Sequence, residues 1–315
     1  MVKKPASKKT KSSTRSKSKN IKKSDVKALN SNKNIESLKS RKKFIFVIPI
    51  VVIIVLIGLV WFVFLSPDVV KAQLIIESGE VQIKKEDGNW EIAENGMILY
   101  QSDTIKTGDN TEASIILFES SIIRLDSNTE LILKEIIIEA GKTSVTIQQD
   151  AGRTWNTVLK VSGIDDYDVQ TPTTVASVRG TSFDVYIIDS DVTDVGVGRG
   201  VVFISKIIKG NIFDSIELKM NEATSIYGDD FDQILKIKEF LKDDWVLKNE
   251  DKDEDFKSDV KEDLYKRIDP YIDDIKERWD VTDDELDVLV TGYINGNFDL
   301  PSETPEWIKD LMEIT

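Results

Sequence analysis

From Ala72 to about Tyr227, apolar residues recur with a period of two, in short runs separated by turn signals. Leu74-Ile75-Ile76, Val81-Gln82-Ile83 and Trp90-Glu91-Ile92 come first, with Asp87-Gly88 and Asn95-Gly96 as hairpin-type turns. Further runs fall at 97–99, 113–118, 122–125, 131–138 and 145–147 and, after a looser stretch, at 167–169, before Thr171–Val185, where two extended runs flank a tight break at Arg179-Gly180-Thr181. The pattern resumes at 195–204 and 216–220. Many short strands with turns between them predict an all-β domain over 72–228, built as a roll, a solenoid or a sandwich.

From Phe231 the spacing becomes helical, and an acidic α-helical region is expected over 229–315. Ile234, Ile237, Leu241 and Trp245 predict a first helix, and Val260, Leu264, Ile268, Ile272, Ile275 and Trp279 a second run broken at Asp269-Pro270. Thr282-Asp283-Asp284-Glu285 reads as a capping box, Asn295-Gly296 as a helix end, and Trp307 and Leu311 as a last short helix after Pro305. Between the first two runs, Asp251, Asp253 and Asp255, with Asp259 and Glu262 following, approach the ligand spacing of a calcium loop. Phe256 stands where that loop needs glycine, so the segment reads either as a calcium site or as a solvated acidic linker.

Ahead of the β region lies a different pattern. Residues 44–65 are 22 uncharged positions, 19 of them Ile, Leu, Val or Phe. As a helix this segment is about 33 Å long, enough to cross a bilayer, and its insertion gains about 6–11 kcal/mol. Residues 1–43 carry 16 Lys and Arg against Asp25 and Glu36, with few apolar residues, and read as a disordered basic tail. The positive-inside rule places that tail in the cytoplasm and everything beyond residue 66 outside. A single-pass protein of the cell membrane is expected, its tail held near anionic lipid headgroups; specific nucleic-acid binding is disfavoured because the tail lacks interleaved aromatics.

Composition narrows the chemistry. The chain has no Cys and no His, which excludes disulfides, thiol catalysis, the common zinc sites and any histidine base. Residues 66–315 hold 54 acidic and 26 basic groups, so chance carboxylate pairs are expected and an extracytoplasmic hydrolase is the weaker reading. Gly196-Val197-Gly198-Arg199-Gly200 precedes a strand, whereas a phosphate-cradling glycine loop precedes a helix. No cofactor is implied.

Thr171-Pro172, Ala176, Val178-Arg179-Gly180-Thr181, Phe183 and Val185 form one motif. Upstream stand Gly96-Met97-Ile98-Leu99, Asp103-Thr104-Ile105-Lys106-Thr107 and Ile122-Ile123-Arg124-Leu125, and downstream Val195, Val197, Gly200 and Val202. In this order they resemble the FecR-like family of extracytoplasmic domains, over roughly residues 74–227. Ser102 replaces the family's usual Gly, and Glu119-Ser120-Ser121 its usual Asp-Gly-Ser turn. The resemblance implies a membrane-anchored all-β domain in which Gly96, Asp103, Thr107, Thr171, Pro172, Val178, Arg179, Gly180, Thr181, Phe183 and Gly200 are structural. Arg179 is expected to pair an acid such as Asp184 or to cap carbonyls at a turn or bulge, and Val at Gly180 to unfold the domain. The expected role is non-enzymatic: presenting the domain outside the cell for protein binding, envelope scaffolding or signal relay with an extracytoplasmic partner. Sigma-regulating members of the family carry a folded cytoplasmic domain where this chain has its polar tail. A transmembrane regulator of the anti-sigma type is therefore the alternative.

Overall fold

The computed structural model describes residues 72–312 except 87, 140, 141, 229, 231–233 and 298. The expected basic tail and membrane span lie outside the described residues, as does Asp87 of the first turn. Among the described residues no helix is long and apolar enough to cross a membrane.

The strands are β1 (Ala72–Ser78), β2 (Val81–Lys84), β3 (Trp90–Ile92), β4 (Ile98–Leu99), β5 (Thr104–Thr107) and β6 (Glu112–Leu117). Then come β7 (Ser121–Leu125), β8 (Glu130–Glu139), β9 (Lys142–Val158), β10 (Ile164–Gln170), β11 (Thr174–Val178) and β12 (Ser182–Asp189). The last are β13 (Val192–Arg199), β14 (Val201–Ile208), β15 (Asn211–Lys219), β16 (Glu222–Tyr227) and β17 (Lys238–Glu239). They form two sheets. One runs β4-β1-β6-β7-β9-β12-β13-β16-β17. The other runs β3-β2-β5-β8-β9-β10-β11-β14-β15. Their inner faces share one core that includes Leu74, Ile83, Leu99, Ile115, Leu131, Ile147, Phe183, Val197 and Ile204. Of the three architectures left open by the sequence, this is the sandwich.

β9 sits at the centre of both sheets. Residues 143–151 pair with β8 and, in parallel, with β10, whereas residues 152–158 pair with β7 and β12. The crossing is at Gly152, whose φ of +80 lies in the left-handed region and lets the strand turn from one sheet to the other. A Cβ there would lie 2.4 Å from the Thr129 Cα, so glycine is required for space as well as for φ. Inside the core the crossing is held by a chain of hydrogen bonds. Tyr167 donates to Asn156 (2.8 Å), Asn156 to Thr154 (2.9 Å), Thr154 to Gln149 (2.8 Å), and Gln149 to the Gly152 carbonyl (3.0 Å). All four side chains are buried, and each finds a partner, which is what makes a polar row tolerable there.

The helical region comprises α1 (Asp244–Ile268), α2 (Ile272–Trp279), α3 (Asp283–Ile294) and α4 (Glu306–Met312). The capping box forms as the sequence predicts, with Thr282 accepting from Glu285 N and Glu285 bonding back. Asp269–Tyr271 is a 3-10 turn with proline in its first turn. Val260, Leu264, Ile268, Ile275, Leu286, Val290, Ile308 and Met312 make a second core, completed from the β domain by Leu159 and Val161.

Two helix expectations are corrected. Residues 234–243 are not helical: they include β17, which pairs with β16 at the edge of the first sheet, with Ile234, Ile237 and Leu241 exposed and the Phe240 ring against Gly196. A ring seated on a glycine decided this segment, which the spacing of apolar residues does not reveal. Residues 251–259 are not a linker, because α1 runs through them from Asp243, which caps the helix by accepting from Val246 N. The β region also differs in two places. The looser stretch at 148–158 is the second half of β9, and 195–204 is broken at Gly200 (φ +83) into β13 and β14.

The two departures from the family motif both lie at left-handed positions: Ser102 has φ +70 and Glu119 φ +59. Gly180, between β11 and β12, has φ +68, but a Cβ there would meet nothing nearer than 4.0 Å. Space at Gly180 does not by itself oppose a side chain, so the expectation for Val there rests on the left-handed backbone, which disfavours a β-branched residue. Gly180→Ala is expected to cost about 1–2 kcal/mol of backbone strain alone. Gly152→Ala, which adds a backbone clash, is expected to cost about 3–5 kcal/mol. Urea denaturation of the two variants checks this; equal losses would contradict the crossing argument.

Candidate functional site

The outer face of the first sheet is covered by α1, and the contact is built around a buried carboxylate. Arg124 on β7 and Trp155 on β9 are register partners, as are Thr157 on β9 and Ser182 on β12, so these side chains stand in adjacent rows. Asp253 descends onto them from α1. Its carboxylate accepts from Arg124 Nη1 (2.5 Å), Trp155 Nε1 (3.0 Å) and Thr157 Oγ1 (2.7 Å), while Arg124 Nη2 donates to the Lys252 carbonyl (3.2 Å). Arg124 is 4% exposed, Asp253 2%, and Trp155 and Thr157 fully buried. An ion pair this deep is held because both carboxylate oxygens and both Nη atoms of Arg124 find hydrogen-bond partners; removing one partner would strand the rest.

Around it lies a ring of charge. Lys248 bonds Glu112 (2.6 Å), and Lys252 bonds Glu77, whose carboxyl is raised by partial burial but held below its ordinary range overall by Lys252 and Ser114. Arg153 makes a two-point bond to Asp184 (2.9 Å each) and a further bond to Asp243 (2.6 Å), beneath the Trp245 ring. Burial opposes that charge, but the two carboxylates outweigh it and hold Arg153 above its ordinary range. Burial pushes the Asp184 carboxyl up to about 6, with Arg153 opposing. Asp243 is lowered on balance: the bonds from Arg153 and Val246 outweigh its desolvation.

Next to this seam is a cleft of about 330 Å³ lined by Trp155, Ser182, Gly198, Arg199, Met220, Glu250, Asp253, Glu254 and Lys257. Arg199 reaches it through a β-bulge. Phe183 pairs with Val197, but Ser182 pairs with Arg199, so Gly198 is an extra residue in β13. Without it Arg199 would continue the inward series of Val195 and Val197; with it, Arg199 stands beside Ser182 on the outer face. A Cβ on Gly198 would lie 2.6 Å from the Trp155 ring and 2.9 Å from Glu250 Oε1, so the bulge also depends on glycine.

These groups all lie at or near the boundary of one recognisable unit. Residues 103–203 match the family described as FecR protein. That stretch is a FecR domain. Two crystal structures of a protein named "putative anti-sigma factor" from Parabacteroides distasonis are similar to the chain, each at 18% identity and a TM-score of 0.34. The match covers 43% of this chain and 59% of theirs, so the chain spans about three-fifths of the length of those structures. No curated protein matches the chain. The β sandwich continues on both sides of the FecR domain, from β1 to β4 before it and through β15 to β17 after it. Arg124, Trp155, Thr157, Ser182 and Arg199 belong to the FecR domain, and Asp253 to the helices that follow it.

Most of the motif residues, of which Gly96 lies ahead of the FecR domain, serve turns and corners. Gly96 takes φ +82 between β3 and β4. Asp103, just before β5, accepts from Tyr100 N (2.8 Å) and from Lys85 (2.5 Å). Thr107 donates to the Asp126 carbonyl, Thr171 accepts from the amides of Thr173 and Thr174, and Pro172 lies exposed in that bend. Val178 and Phe183 are in the core. Thr181 donates to the Val201 carbonyl (3.0 Å) and packs under Gly200, bringing Gly180, Thr181 and Gly200 into one corner. Arg179 is exposed and lies 3.8 Å from Asp165, not beside Asp184, whose partner is Arg153. The calcium expectation also fails: Asp251, Asp253, Asp255, Asp259 and Glu262 are all within the single helix α1, Asp253 is consumed by Arg124, and the described residues contain no group able to hold a metal. The sequence signal that could have found Asp253 is its place in the stripe Val246, Asn249, Asp253, Val260, Leu264, Ile268, all buried on one face of α1.

Asp253→Ala leaves Arg124, Trp155 and Thr157 buried without their acceptor, and is expected to cost about 3–5 kcal/mol. Hydrogen exchange would show α1 losing protection before the β sandwich; uniform loss would mean that the seam is not a separate unit. For Asp184, the folded carboxyl titrates at about 6 against an ordinary 3.8, so the folded state holds the proton more tightly. Its contribution to stability is greatest below about pH 4, declines as pH rises to about 6, and is flat above. Asp184→Asn is expected to remove that decline from the stability–pH curve.

Proposed function

We propose that this chain is a non-enzymatic, single-pass membrane protein that presents its FecR domain outside the cell for protein binding, envelope scaffolding or signal relay. The observation that carries the reading is the FecR domain itself, a regulatory module at family level and not an enzyme family. The seam adds physical support. A helix outside the FecR domain is bolted to it by a desolvated ion pair, so domain and helices act as one rigid body toward a partner. The 22 uncharged residues at 44–65 would anchor this body, and the basic tail would rest on anionic headgroups, each Lys or Arg near the surface adding about 1 kcal/mol.

A chain without cysteine allows a direct test. In intact cells, a membrane-impermeant maleimide is expected to label Asn89→Cys, and Ser12→Cys only after permeabilisation; the reverse pattern would overturn the orientation. Pull-down with residues 1–43 addresses the relay. Recovery of a transcription regulator would favour the anti-sigma-type reading, and recovery of anionic lipid alone the presenting role.

A further inference from the structure

The polar groups of the cleft beside the seam do not balance. Three acids line it, and each has its own cation: Asp253 has Arg124 (2.5 Å), Glu254 has Lys257 (2.6 Å), and Glu250 has Lys242 (2.6 Å). Arg199 has no carboxylate of its own. Its Nη1 donates to the neutral Asn295 side chain at the end of α3, while Nε and Nη2 are buried with no hydrogen-bond partner among the described residues. Nε and Nη2 make up one edge of the guanidinium, with two N–H bonds pointing the same way. Ser182, the cross-strand partner of Arg199, is 2% exposed, and its hydroxyl is likewise unpartnered. Two residues set side by side by the Gly198 bulge thus leave three donors unused, and both line the same cleft.

We propose that this cleft binds a carboxylate, with Arg199 Nε and Nη2 as a two-point clamp and the Ser182 hydroxyl as a third donor. The class of ligand follows from shape and charge. A planar carboxylate matches the two parallel N–H bonds of a guanidinium edge. A single negative charge neutralises the one cation in the cleft that lacks an acid. A phosphate or sulfate dianion would instead bring excess charge up to Glu250, Asp253 and Glu254. Desolvation lowers the Arg199 pKa, with Asp253 and Glu254 opposing it, as expected for a cation that makes no ion pair of its own. The carboxylate could be carried by a polypeptide, as an acidic side chain or C-terminus, or by a small free acid. Because the clamp joins β12 and β13 of the FecR domain to α1 and α3, its occupation would tighten the seam. The inference goes beyond the proposed function and does not depend on membrane orientation, since the cleft is the same on either side.

The test uses the full chain in detergent micelles and the Arg199 Nε–H resonance in ¹⁵N spectra. The probes are N-acetyl-trialanine with a free C-terminus, the same peptide as its C-terminal amide, propionate and inorganic phosphate. The free-acid peptide and propionate are expected to shift the resonance at saturating concentration, the amide not at all, and phosphate more weakly than either. A peptide affinity about tenfold above that of propionate would identify a polypeptide source, and equal affinities a small acid. Arg199→Lys removes the reporting Nε–H, so its binding is followed at the indole N–H of Trp155, which lines the same cleft; it keeps the charge and loses the clamp, and is expected to weaken binding about tenfold, and Ser182→Ala less. Equal response to acid and amide peptides, phosphate binding as tight as carboxylate, or unchanged affinity in Arg199→Lys would each overturn the proposal. Should Arg199→Lys fail to fold, the wild-type resonance and Ser182→Ala still decide it. No shift with any carboxylate would mean that the cleft holds water alone, which also overturns it.

Discussion

A strand that serves two sheets must change direction without breaking either ladder, and the sandwich depends on how β9 does so. Its first half is the middle of one sheet and its second half the middle of the other, with Gly152 at the change. β1 to β8 lie on one side of it and β10 to β17 on the other, so a slip in β9 would shift both halves together. The internal row from Tyr167 through Asn156, Thr154 and Gln149 to the Gly152 carbonyl resists that slip. Displacing β9 by one residue would turn these polar groups away from one another and leave them buried and unpaired, which costs more than any single apolar contact gains.

The same strand prepares the outer face. With Thr154, Asn156 and Val158 directed inward, Trp155 and Thr157 must point outward, and there they meet Asp253. The stripe of α1 changes character along its length to suit. Its first half buries Asn249 and Asp253 against a polar face, and its second half buries Val260, Leu264 and Ile268 against Leu159, Val161 and the other helices. One helix therefore joins two environments, fixed by a matched ion pair at one end and by apolar packing at the other. Glycines supply the clearance this needs: Gly196 for the Phe240 ring, and Gly198 for Trp155 and for the bulge that turns out Arg199.

Much of the architecture was legible before any coordinates. Runs such as Ala113–Phe118 and Ile122–Leu125 alternate because one face of each strand meets the core, and the capping box at Thr282–Glu285 is a local device. What stayed hidden has a common cause. In the second half of β9 both faces are buried, one by the core and one by α1, so alternation disappears from 153–158. Along α1 the buried position at 253 is an aspartate, and a hydropathy pattern reads an aspartate as solvent-facing. The five acids then looked like a loop ligand set, although a helix spreads them around its circumference.

The sequence by itself determined that a β region is followed by helices, the turn at Gly96, and the motif Thr171–Val185 that marks the FecR domain, because each rests on neighbouring residues. Tertiary structure decided which charges are buried together. Arg124 and Asp253 are 129 positions apart, and Arg199 and Asn295 are 96 apart. Each pairing depends on a bulge, a strand crossing and a helix face acting at once, and no local pattern encodes where those three coincide.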